Sequence, residues 1–125
     1  MLDELCAAGI EHGLASIERG GPLVPFVLSQ GPDGEVALDR FLADTLEESV
    51  DRAREAAQNA LSGGAEAVAL VYDGYVTDAG QRLDAILVEA VAGQERLGIA
   101  QPYRPGGRLR RAAPVGEPLL IDIGW

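Results

Sequence analysis

The sequence predicts an α+β fold: one antiparallel meander sheet with two helices, in the order α-β-β-α-β-β-β plus short C-terminal β segments. Three observations predict it. Ala65 to Ala92 reads as two apolar runs around a turn, the pattern of a long hairpin. Two other stretches space their apolar residues at three and four, as helices do. Between those helices a short strand–turn–strand signal appears. Antiparallel hairpins on both sides of a helix argue for α+β and against a doubly wound parallel sheet. At 125 residues the chain reads as a single domain, 1–125, long enough for a core without metal or disulfide staples.

The first helix is expected over 3–19. Leu2, Cys6, Ile10, Leu14 and Ile17 form its apolar stripe, with Gly9 and Gly13 on one flank. Each glycine weakens a helix by about 1 kcal/mol relative to alanine. Close packing would compensate, against the alanine-rich hairpin face or against the same helix of a second subunit. Gly20-Gly21-Pro22 ends the helix. Leu23 to Ser29 reads as a strand that Pro25 confines to an edge or irregular position. Gln30 to Gly34 is a turn, and Glu35 to Leu38 returns as a second strand.

The second helix starts at Thr45, which forms a capping box with Glu48; Asp44 is a rival cap. Leu46, Val50, Ala53, Ala57 and Leu61 make its buried face, and Ser62-Gly63-Gly64 closes it. In the hairpin that follows, a loop over Thr77–Gln81 would pair Val76 with Arg82, Tyr72 with Ile86, Val71 with Leu87 and Leu70 with Val88. Val68, Leu70, Tyr72, Ile86 and Val88 then share one face; Ala67, Ala69, Val71, Ala85 and Leu87 share the other. Both faces are apolar, so both are expected to be covered. Asp73-Gly74 suggests a bulge. Arg96 to Gln101 is a further strand, interrupted by Pro102 to Gly107. Arg108 to Ala113 and Pro118 to Ile123 are the short C-terminal β segments.

Composition excludes more than it names. One cysteine rules out an intramolecular disulfide and a Cys-rich metal cluster. No long apolar run predicts a membrane span, and an acidic N-terminal stretch is unlike a secretory signal, so a cytoplasmic protein is expected. All ten basic residues are arginine, a bias that with abundant alanine reads as a GC-rich bacterial genome. Residues 1–95 carry eighteen Asp and Glu against five Arg; residues 96–125 carry two against five. Such an acidic body argues against nucleic-acid binding, which needs phosphate neutralisation, and is compatible with a basic protein partner.

No fingerprint for a nucleotide, zinc or calcium site or a serine nucleophile is present, so no catalytic residue, metal or cofactor is assigned. Cys6 reads as a small core residue and His12 as a surface residue. Asp73, Asp78, Asp84 and Glu89 are the hairpin carboxylates. In the register above Asp73 and Asp84 fall on opposite faces, which weighs against a paired site, although a bulge would reverse this. Arg96, Arg104, Arg108, Arg110 and Arg111, with Tyr103 among them, form the one basic cluster. Guanidinium forks suit carboxylate and phosphate oxygens. The favoured reading is a docking surface for the protein's own acidic helices. The alternative is a site for an anion or a partner.

The first seven elements have the order of profilin-like and roadblock-type folds, an analogy that fixes no function. The sparse pattern Tyr72-Asp73-Gly74, Asp84-Ala85-Ile86, Val88-Glu89, Gln101 and Tyr103-Arg104-Pro105 resembles one found in a group of small bacterial proteins. It covers about a quarter of the chain, and the resemblance implies no activity. The leading functional expectation is a non-enzymatic binding or assembly module that forms a homodimer. An acidic immunity- or inhibitor-type protein masking a basic partner is one alternative. A small-molecule domain or enzyme using the arginine cluster for an anionic ligand is the other.

Overall fold

The computed structural model describes residues 2–20 and 22–125; of the predicted helix stop, Gly21 lies outside the described residues. Among the described residues two helices and seven antiparallel strands follow in the expected order. They are α1 (Leu2–Glu18), β1 (Phe26–Gln30), β2 (Val36–Arg40), α2 (Leu46–Ser62), β3 (Ala67–Asp78), β4 (Gln81–Ala92), β5 (Glu95–Arg104), β6 (Ala113–Pro114) and β7 (Leu119–Ile121). The sheet runs β2-β1-β3-β4-β5-β6, with β7 also on β5. No helix among the described residues is long and apolar enough to cross a membrane.

Each face of the sheet takes one helix. On one, Leu2, Leu5 and Cys6 of α1 pack with Phe26, Leu28, Ala67, Ala69, Val71, Ile86 and Val88. On the other, Val50, Ala53 and Ala57 of α2 pack with Val27, Val68, Leu70 and Val91, and Ile123 and Trp125 of the C-terminal segment close the edge of this cluster. This alternation is why the hairpin is apolar on both sides.

The glycines of α1 find their partner inside the chain. A Cβ on Gly9 would stand 2.8 Å from Val71 Cγ2, and one on Gly13 3.1 Å from Ile86 Cγ2. Their place against the hairpin removes the need for a second subunit to explain them. α2 begins as its sequence predicts: Thr45 Oγ1 accepts from the Glu48 backbone N–H at 3.0 Å. Ser49 is buried at the same end, donating to Thr45 O and accepting from Ala43 N–H. Leu46, expected inside, is half exposed at 50%, and Leu61 is only partly buried.

Several boundaries differ from expectation. Pro25 lies just before β1, so it removes no ladder hydrogen bond, and β1 is an interior strand between β2 and β3. β5 does not stop at Gln101 but runs to Arg104, with Pro102 opposite Ala85. Most of expected strand 108–113 is a loop closed by a Gly107–Arg110 bridge; of that stretch Ala113 alone, with Pro114, pairs with β5.

The central correction concerns register. The hairpin loop is two residues, Ala79 and Gly80, both left-handed at φ 53° and 79°. Such a turn matches the right-handed twist of the strands. Tyr72 therefore pairs with Leu87 and Val71 with Val88, one residue away from the expected pairing. The ladder is unbroken from Val68 to Asp78, without the expected bulge. Gly74 has a different reason: a Cβ there would meet Leu87 Cδ1 at 2.7 Å.

Candidate functional site

A slip of one residue moves every side chain of a strand to the other face. Asp73 lies opposite Ile86, and Asp84 lies two residues from Ile86 on β4. The two carboxylates thus share the α1 face, reversing the sequence expectation. Tyr103 of β5 lies on the same face and belongs to the α1-side core. Its hydroxyl donates to Asp73 Oδ1 at 2.7 Å.

This pair forms the floor of a cleft of about 450 Å³. One wall is the C-terminal end of α1 with its exit, including Ile17, Glu18 and Leu23. The other is the loop after β5, including Pro105, Arg110 and Arg111. Partial burial raises the Asp73 carboxyl above its ordinary value, and the negative charge of Asp84 adds to the rise; the Tyr103 hydroxyl and the Gly74 N–H oppose it. Tyr103 is pushed well upward by burial first and then by its bond to Asp73, so it remains a phenol that donates.

The predicted basic cluster is divided by the structure. Arg96 stands at the far end of β5 from Arg104, about 26 Å away at the rise of an extended strand. It donates from Nε to Trp125 O at 2.7 Å and from NH1 to Gly93 O at 3.4 Å, tying down the C-terminal segment. Arg104 alternates with Tyr103 and points to the opposite face. Its NH2 donates to Arg111 O at 3.3 Å, and its buried Nε has no protein partner. Arg108, Arg110 and Arg111 are exposed in the loop. Among the described residues both carboxylate salt bridges belong to Arg54, so none of the clustered arginines is paired with the acidic helices. Tyr103, Arg110 and Arg111 come together at the cleft; Arg96, Arg104 and Arg108 do not line it.

A second polar centre lies on the α2 face. Glu89, 4% exposed, accepts from Arg54 NH2 with both oxygens at 3.1 Å, from the Tyr72 hydroxyl, and from the Trp125 indole at 2.6 Å. Burial and then the carboxylate push Tyr72 well upward. In the sequence Glu89 reads only as a hairpin carboxylate. A glutamate amid the apolar run from Ala85 to Ala92 was the available signal, since a buried charge demands partners.

The other candidates take their expected places. Cys6 is fully buried, and burial followed by the charge of Asp3 raises its thiol to about 11, which disfavours the nucleophilic thiolate. His12 is exposed on α1, edge-on to Phe26 at 6.2 Å between ring centroids. No group of three or more His, Cys, Asp or Glu among the described residues is arranged to hold a metal ion. Compared with models of protein families, with curated proteins and with solved structures, the chain matches none.

Proposed function

We propose that the protein is a small binding module whose ligand carries an anionic group and sits in the cleft over Asp73 and Tyr103. The carrying observation is a half-buried carboxylate with one side-chain donor, facing a rim whose two guanidinium groups lack a carboxylate partner among the described residues. Arg110 and Arg111 would meet carboxylate or phosphate oxygens. Asp73 would accept from a hydroxyl or amine of the same molecule, so the preferred ligand combines an anion with a hydrogen-bond donor.

Titration calorimetry with inorganic phosphate, citrate and a hydroxylated phosphate ester tests this reading. The ester is expected to bind most tightly. Arg110→Ala with Arg111→Ala should weaken it by about tenfold or more, equivalent to about 1.4 kcal/mol. Asp73→Asn should reduce the preference for the ester over phosphate. Equal, featureless responses from the wild type and the double variant would defeat the proposal.

A further inference from the structure

The loop that rims the cleft carries a second feature on its outer side. Leu109 is 97% exposed, between Arg108 and Arg110. An isolated exposed leucine is ordinary; one set in a cationic segment of an otherwise acidic protein has a specific complement on the same molecule.

That complement is a groove of about 310 Å³ between α2 and β3. Leu46, Val50 and Tyr72 are its apolar lining, and Glu47, Asp51 and Asp73 its acidic lining. Leu46 is half exposed there, beyond what α2 needs to cover the sheet. The groove's cation, Arg54, is already committed to Glu89 and Asp51, which leaves the rim negative. Loop and groove lie on opposite sides of the sheet: the loop borders the end of α1, whereas α2 packs on the other face. No residue of the loop lines the groove of its own molecule.

We infer that the occupant is a second copy of this chain, with Leu109 of one copy seated on Leu46, Val50 and Tyr72 of another and Arg108 facing Glu47 and Asp51. Charge complementarity selects the pairing: the loop is the chain's densest cationic segment and the groove is apolar with an acidic rim. The contact joins two different surfaces, so it closes when two copies exchange loops reciprocally and otherwise builds chains. Leu109 and Arg108 do not line the cleft, whereas Asp73 borders both cleft and groove, so the loop substitutions at 108 and 109 leave the cleft lining itself unchanged.

The test is sedimentation of the full chain at low salt, from micromolar to hundreds of micromolar. A loop variant carries Arg108→Glu and Leu109→Asp; a groove variant carries Leu46→Asp and Glu47→Arg. The wild type should associate with rising concentration and less so at high salt. Each variant alone should associate at least about tenfold more weakly. An equimolar mixture of the two should recover a heterodimer held by one intact contact, tighter than either variant with itself, because one supplies an intact loop and the other an intact groove. That recovery also shows that both variants fold. A wild type that stays monomeric throughout, variants that assemble as the wild type does, or a mixture that fails to recover would each overturn the inference. Anion titration of the loop variant reports separately on the cleft.

Discussion

Two tyrosine–carboxylate pairs sit on opposite faces of one sheet, and they are built for different ends. On the α2 face Glu89 is almost fully buried and satisfied by Tyr72, Arg54 and Trp125, which come from three separate elements. On the α1 face Asp73 has Tyr103 as its side-chain donor and faces a cleft. A buried charge with a full set of donors holds a structure together. One with a partial set, open to a pocket, keeps capacity for a ligand. The difference between the pairs is the number of donors around the carboxylate, and it separates a structural centre from a candidate binding site.

The largest test of this contrast removes the cation from the satisfied pair. Arg54→Ala leaves Glu89 buried without a countercharge, a change that costs about 3–5 kcal/mol in buried pairs. Arg54 is itself 30% exposed, so the lower end, about 3 kcal/mol, is expected in urea denaturation. A loss below about 1 kcal/mol would remove Glu89 from its structural role.

Next comes the strap that brings Trp125 to Glu89. A Cβ on Gly98 would collide with the Ile121 carbonyl oxygen and stand 2.7 Å from Ile123 Cγ2. Gly98→Ala should therefore cost about 1–3 kcal/mol. It should also loosen β7 and move the emission of Trp125, the chain's one tryptophan, toward that of a wetter indole. An unchanged spectrum would mean that the C-terminal segment docks without the strand.

Tyr103→Phe should cost only about 1 kcal/mol, the value of one hydrogen bond. Its sharper signature is in pH dependence. Asp73 has its folded pKa raised, so the fold binds this proton more tightly than the unfolded chain does. The contribution is fully present below the ordinary carboxyl value of 3.8 and is lost as pH rises through the higher folded value. Tyr103→Phe removes a group that holds the carboxyl down and should extend that window upward. The smallest effect belongs to Asp73→Asn, which should abolish this part of the profile with little change in the fold. A wild-type profile in both variants would show that Asp73 does not titrate as its surroundings dictate.

Much of the fold is legible from local chemistry. Thr45 and Glu48 announce the start of α2 because capping needs only residues three apart. The apolar spacing of both helices and the two-faced hairpin likewise require only periodicity. The cleft was not legible, and one turn explains why. Asp78-Ala79-Gly80-Gln81 forms a two-residue loop with Ala79 at positive φ, a conformation that costs alanine about 1–2 kcal/mol and that sequence patterns reserve for Asn, Asp and Gly. Taking a longer loop shifted the pairing by one residue and placed Asp73 and Asp84 on opposite faces.

The sequence by itself determined the α+β class, the order of elements, the helix starts, and a core with two sides, because each depends on neighbours along the chain. Only the tertiary structure decided that Gly9 and Gly13 pack on Val71 and Ile86, that Glu89 meets Arg54 and Trp125, and that Asp73 meets Tyr103 beneath Arg110 and Arg111. Most of these partners are tens of residues apart, and which of them meet depends on strand register. Register is a cooperative property of the whole sheet, in which one residue of slip exchanges the two faces.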